Sequence, residues 1–342
     1  MLAHGSVVLV REPGIDSGAR GTHRGIRSRE NNMSANLEST TSDRGNLKSW
    51  FHRPPYIGLM AFLIVFVVQA LGHTVMIMME EIWPGPGYVF ESAFGLGAFG
   101  ALLLWLGMRH PNEVSATWYG FWAGTFLWTG WVEFAFVWSG QDLGVPDLMD
   151  PFKPGIIATK AEYLVMMSSV GVLGATLIYF LFNKETKCNF FIWFQRHLKL
   201  KTGKPNPQHE RNFAAITALE TVYVIWFFYL VLLFLYHKDF AGDRHPVTYA
   251  VFFLNVVWAV YLFRRLMLFW RVTTAIRYGI PTAIIAWNAV ELGGRWHWFT
   301  EFWEHPEDYA WQLSALAIGI VAAAWLAART PMHTKANLDR SA

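Results

Sequence analysis

The sequence predicts an all-α fold: a polytopic integral membrane bundle of about eight transmembrane helices with both termini cytoplasmic. Three observations carry this expectation. Hydrophobic residues make up 54% of the chain and charged residues only 15%, well outside the balance of a soluble domain. The apolar residues fall in long blocks broken by short polar turns, which is how spanning helices read. Lysine and arginine concentrate in alternate loops, as the positive-inside rule requires.

Residues 1–50 are Gly, Ser, Asn, Arg and Glu with almost no apolar run. Their longest apolar stretch, Val7-Val8-Leu9-Val10, is too short for a signal-peptide core. The segment is expected to be a disordered cytoplasmic tail, with Met33 as an alternative start. Residues 51–330 form the expected transmembrane domain and 331–342 a short cytoplasmic tail.

Spans are expected at 56–82, 88–108, 115–138, 161–183, 212–236, 247–270, 278–303 and 309–328, each near the roughly 20 residues that a hydrocarbon layer of about 30 Å demands. Pro and Gly punctuate the gaps, as at Trp83-Pro84-Gly85-Pro86-Gly87, Asp150-Pro151 and His305-Pro306. Between spans six and seven, Arg271 and Arg277 interrupt a nearly continuous apolar run, and a turn at the membrane surface is expected there. The 184–211 loop carries Lys184, Lys187, Arg196, Lys199, Lys201, Lys204 and Arg211. That bias puts it, with both termini, on the cytoplasmic side of an inner membrane. Its Phe190–Phe194 stretch, followed by Arg196, His197 and Lys199, reads as a surface helix. The 139–160 loop, interrupted by prolines, is expected to cap the outer end.

Composition also excludes classes of function. A net charge of +3, confined to loops, does not argue for nucleic acid. One cysteine, Cys188, rules out an internal disulfide framework and any Cys-based zinc or iron–sulfur site within one chain. No phosphate-binding Gly loop, serine elbow or haem-attachment motif is present.

What remains is a set of ionisable residues inside the apolar blocks, where each costs about 2.5–3.5 kcal/mol to insert and is a functional candidate for that reason. In span one, Gln69, His73, Met76 and Glu80 share a helical stripe. In span three, Trp122, Thr125, Thr129 and Glu133 share another, beside Trp128. In span seven, Asn288, Glu291, Arg295 and Trp298 align, and His297, Glu301 and His305 form a second line if the helix continues past Arg295. Glu291 and Arg295 are spaced to pair at i,i+4. Bland explanations stand beside each. Glu80 and Glu81 fit wet headgroups, Glu133 fits a hydrogen bond to Asn255 or Gln312, and the tryptophans fit an interfacial belt. Glu220, nearer the cytoplasm, is expected to meet Tyr223 or an arginine of the inner turn.

The chemistry these residues suit best is acid–base catalysis on a lipophilic, isoprenoid-derived (hopanoid- or sterol-like) lipid near the outer leaflet, by protonation, isomerisation or hydration. Glu133 and Glu291 would be catalytic, His73 and His297 proton partners or ligands, and Arg295 the group that keeps Glu291 ionised. Trp122, Trp128, Trp298 and Asn288 would line the substrate, since π faces stabilise cations within about 6 Å. This reading needs no cofactor. One alternative is a metal-dependent oxygenase holding iron or copper through His73, Glu80, Glu133, His297 and Glu301, although the Glu-x-x-His pairs of bundle di-iron sites are absent. Another is a proton-coupled transporter or a subunit of a membrane complex, against which the absence of internal repeats counts.

Overall fold

The computed structural model describes residues 53–82, 86–149, 157–183, 189–200 and 211–328. The expected tails, 1–50 and 331–342, lie outside the described residues, as does most of the basic 184–211 loop.

Helices dominate. In chain order they are α1 (Tyr56–Ile82), α2 (Pro86–Arg109), α3 (Glu113–Leu127), a π-helical segment (Trp128–Glu133) and α4 (Phe134–Asp142). There follow α5 (Ala161–Ser168), α6 (Val170–Phe182), α7 (Asn189–His197), α8 (Phe213–Tyr236), α9 (Pro246–Leu266), α10 (Val272–Arg295) and α11 (Ala310–Ala328). A short antiparallel pair, Leu148–Met149 with Ile157–Thr159, closes the α4–α5 connection. Five helical runs are long and apolar enough to cross a membrane: Tyr56–Glu80, Tyr88–Arg109, Ala161–Phe182, Phe213–Tyr236 and Pro246–Leu266.

Small residues set the packing. Gly120 and Gly124 of α3 face Ala214 and Ala218 of α8, and a Cβ on Gly124 would come within 2.7 Å of the Ala218 carbonyl oxygen. Helices associate inside membranes by this kind of backbone approach, because lipid leaves no hydrophobic drive between them. The main core joins α1, α3 and α10 through Ile57, Ile64, Phe121, Ile276, Ile280 and Ile285, all at most 2% exposed. Asn112 caps α3 by accepting hydrogen bonds from the backbone N–H of Val114 and Ser115. On α7, Gln195 is buried and donates to the carbonyls of Leu181 and Asn183 at the end of α6.

Two expected boundaries are corrected. The turn between spans six and seven is at Met267–Arg271, and Arg277 lies within α10. Its guanidinium makes two hydrogen bonds to Glu220 on α8, one of them Nε to Oε2 at 2.9 Å. Span seven begins at Val272 and ends at Arg295, not at residue 303. The physical reason is a Schellman closure: His297 N–H donates to Gly294 O and Trp298 N–H to Gly293 O, with His297 at φ +59°.

Candidate functional site

The site is built on the ends of α1, the π segment, α8 and α10 that lie toward the 296–309 connection. His73 of α1 and Glu291 of α10 meet at 2.9 Å, Nε2 to Oε1. Trp287, one turn before Glu291, donates its indole N–H to the same carboxylate oxygen at 2.6 Å. The Trp287 ring also stacks on His73, with centroids 6.0 Å apart. A carboxylate held by an imidazole and an indole keeps one defined orientation, which a lone buried carboxylate would not.

The connection after α10 covers this pair. Its 3-10 turn, Phe302–Glu304, seats Trp303 against Trp287 at 4.8 Å between centroids. The Thr74 hydroxyl lies 3.1 Å from Ala70 O and 3.2 Å from Trp303 O, and so ties the turn to α1. Trp303 is only 2% exposed, whereas the His73 and Glu291 side chains keep 32% and 18% of their surface accessible. The pair is therefore only partly covered, although its aromatic cover is packed.

Glu133 closes the π segment and is 5% exposed. Such segments insert one residue into a helix and so re-aim the side chains beyond it, and they recur at functional sites. Gly130 lets this segment pack closely on α2, since a Cβ there would press on the backbone of Gly97 and Ala93. Tyr229 lies within electrostatic reach of Glu133, and Tyr163 packs beside Tyr229 with ring centroids 6.3 Å apart. Glu133 also lies within electrostatic reach of His73 and Glu291. Spans one, three and seven thus bring His73, Glu133 and Glu291 into one polar belt.

Other expected residues fall elsewhere. Trp128 stands beside Tyr229, with ring centroids 6.0 Å apart. Trp122 packs on Phe121 and Phe126 instead, among the main core. Asn288 is buried on α10. Arg295 donates its Nε to Asp243 at 3.2 Å and lies over the Tyr236 ring, while Glu291 has His73 at 2.9 Å and Arg295 within electrostatic reach. Asn255 donates to the Ile285 carbonyl at 2.6 Å, not to Glu133.

The expected line of His297, Glu301 and His305 does not form, because α10 has ended before it. His297 is exposed on the turn, and Trp298 is 61% exposed, its ring packed on Trp296 and Phe252. Glu80 is exposed at the end of α1. Glu301 folds back so that its carboxyl lies over Gly294. In that loop, burial pushes the Glu301 carboxyl up to about 7, with Glu304 and Glu291 adding in the same direction. Among the described residues, the donors at metal-ligand spacing are His305, Glu307 and Asp308, all exposed, and not the expected ligand set.

Tyr229, Tyr163, Trp287 and Thr74 were not singled out by sequence reasoning. A phenol or indole in an apolar helix has the same appearance whether it packs or donates. The one available signal was spacing, since Trp287 precedes Glu291 by a single turn.

Compared with known proteins, the chain matches no family model, no curated protein and no solved structure.

Proposed function

We propose that the protein is a multi-pass enzyme of the inner membrane that carries out acid–base chemistry on a lipophilic substrate. The carrying observation is the accessible His73–Glu291 contact at 2.9 Å, set beside the buried carboxyl of Glu133. Two carboxyls in different surroundings next to an imidazole supply a proton donor and an acceptor at neutral pH. Glu291, oriented by His73 and Trp287, takes the role of base; Glu133, buried in the π segment, takes that of acid. Phe66, Trp287, Phe302 and Trp303 surround the pair with π faces. An acid beside such faces suits protonation, isomerisation or hydration of an isoprenoid-derived lipid, whose cationic intermediates π faces stabilise. In this reading all eight long helical runs cross the bilayer, with both termini cytoplasmic and the site toward the outer leaflet.

The test compares lipid extracts of cells expressing the wild-type protein, Glu133→Gln or Glu291→Gln, by mass spectrometry. The expected result is a lipid product that disappears in both variants at unchanged expression. Product retained in both removes the acid–base reading. Stoichiometric iron or copper in the purified protein would replace it with the metal-oxygenase reading.

A further inference from the structure

At the end of α8 stands a hydroxyl that the fold leaves unused. Tyr236 is the last residue of that helix and follows Tyr229 by seven residues, so the two phenols share one helical face about 10 Å apart along the axis. The Tyr236 residue is half-buried, yet its hydroxyl oxygen is fully buried and has no hydrogen-bond partner among the described residues. The ring thus reaches the surface and its hydroxyl points inward. A buried hydroxyl without a partner is destabilising, and folded proteins keep few of them. One kept beside a candidate site is accounted for by a ligand that completes it.

The groups around the phenol have partners of their own. The Arg295 guanidinium lies over the Tyr236 ring, with Cζ 4.8 Å from its centroid. The same arginine donates to the Asp243 carboxylate at 3.2 Å, and the Trp296 indole N–H donates to the Asp243 carbonyl at 2.7 Å. The Thr248 hydroxyl donates to the Gly242 carbonyl at 2.7 Å and holds the same loop from α9. Below the ring lies the apolar cluster of Phe252, Leu292 and Trp296. The arginine's charge is therefore met by a carboxylate, and what this corner still offers is one neutral O–H. Glu291 precedes Arg295 by a single turn of α10, roughly 5–6 Å, and lies within electrostatic reach of the phenol. A group held by the Tyr236 hydroxyl is then a neighbour of the His73–Glu291 pair.

We propose that Tyr236 is a substrate-binding residue whose hydroxyl donates a hydrogen bond to a neutral oxygen, a hydroxyl or a carbonyl, carried by the lipophilic substrate. An anionic headgroup is disfavoured here, because Asp243 already answers Arg295 and would repel a second negative charge. A bare hydrocarbon is disfavoured too, since it would leave the buried hydroxyl unpaired, the penalty by which polar sites reject analogues lacking the matching group. The inference rests on the reading of this end of the bundle as a lipid site, and it narrows that lipid to an oxygenated one. No proton or covalent step is assigned to Tyr236.

The experiment compares phytanol with phytane, a branched isoprenoid alcohol and its parent hydrocarbon. Each is titrated into the purified full-length protein in detergent micelles, and the melting temperature is followed against mole fraction. In the wild type, phytanol is expected to reach half of its effect at about a tenfold lower mole fraction than phytane, the yield of one buried hydrogen bond. In Tyr236→Phe that preference is expected to vanish, with the response to phytane unchanged. Without either probe, Tyr236→Phe is expected to melt at or above the wild-type temperature, because no hydrogen bond is lost. Equal responses of the wild type to both probes, as a bound water alone at the hydroxyl would give, overturn the inference. So does a preference retained in Tyr236→Phe. A probe-free Tyr236→Phe that melts well below the wild type, or fails to fold, would show the hydroxyl to be structural and overturn it as well. Lipid product retained in both Glu133→Gln and Glu291→Gln removes the acid–base reading alone and leaves the binding preference standing.

Discussion

His73 and Glu291 offset each other's burial, so removing one leaves the other stranded. Losing one partner of a buried ion pair costs about 3–5 kcal/mol. With His73 about a third exposed, the effect falls at or below the bottom of that range, and His73→Ala is expected to destabilise by about 2–3 kcal/mol. The His73→Leu, Glu291→Met double variant should recover much of that loss. Denaturation in detergent micelles measures both, and a double variant no more stable than His73→Ala would contradict the pairing. Glu301 gives a pH dependence of known sign. Its folded-state value of about 7 exceeds the usual 4.5, so the folded chain holds the proton more tightly. Its stabilisation is complete below pH 4.5 and is lost as pH rises through 7. Glu301→Gln should therefore flatten the fall in melting temperature between pH 5 and pH 8. At this scale the sequence made the ionisable side chains visible, because charge is conspicuous in an apolar block. Partners across helices were not visible: the i,i+4 spacing favoured Glu291 with Arg295, while the tertiary approach of α1 supplied His73.

Helix ends and helix irregularities position these side chains. The apolar runs 56–82 and 161–183 were legible nearly to the residue, because lipid demands length and hydrophobicity from each. The end of α10 was harder to read, since the aromatic run Trp296–Trp303 continues the hydrophobic signal beyond the true stop. The stop was nonetheless encoded, in Gly293-Gly294 and a residue able to take positive φ. His297 adopts φ +59° there, where glycine is favoured, and His297→Gly should raise stability by about 0.5–1 kcal/mol. An unchanged or lower melting temperature would argue against this closure. The π segment left no trace in periodicity, because one inserted residue shifts a helical stripe without breaking it. Its tight seat predicts that Gly130→Ala, pressing on Gly97 and Ala93, costs about 1–3 kcal/mol and impairs whatever Glu133 does.

Over the whole molecule, the five helices apolar enough to span do not include the runs that carry Glu133 and Glu291. That is a consequence of the site itself: α3 through α4 and α10 hold the threonines, glycines and charges of the belt, and these lower their hydropathy. Threading all eight runs places the loop that holds Cys188 on the cytoplasmic face, and the cysteine is unique in the chain. A membrane-impermeant maleimide should therefore label inside-out vesicles and leave right-side-out ones unlabelled. The reverse pattern would invert the topology.

The tie between Thr74 and the Trp303 carbonyl stoppers the bundle with an indole at the end where Glu291 sits. On the proposed reading, a water-loving solute arriving from that side would meet packed aromatic rings before the imidazole. If the proposed chemistry holds, a guest dissolved among acyl chains would bypass that plug, and oiliness would act as the admission criterion ahead of shape or charge.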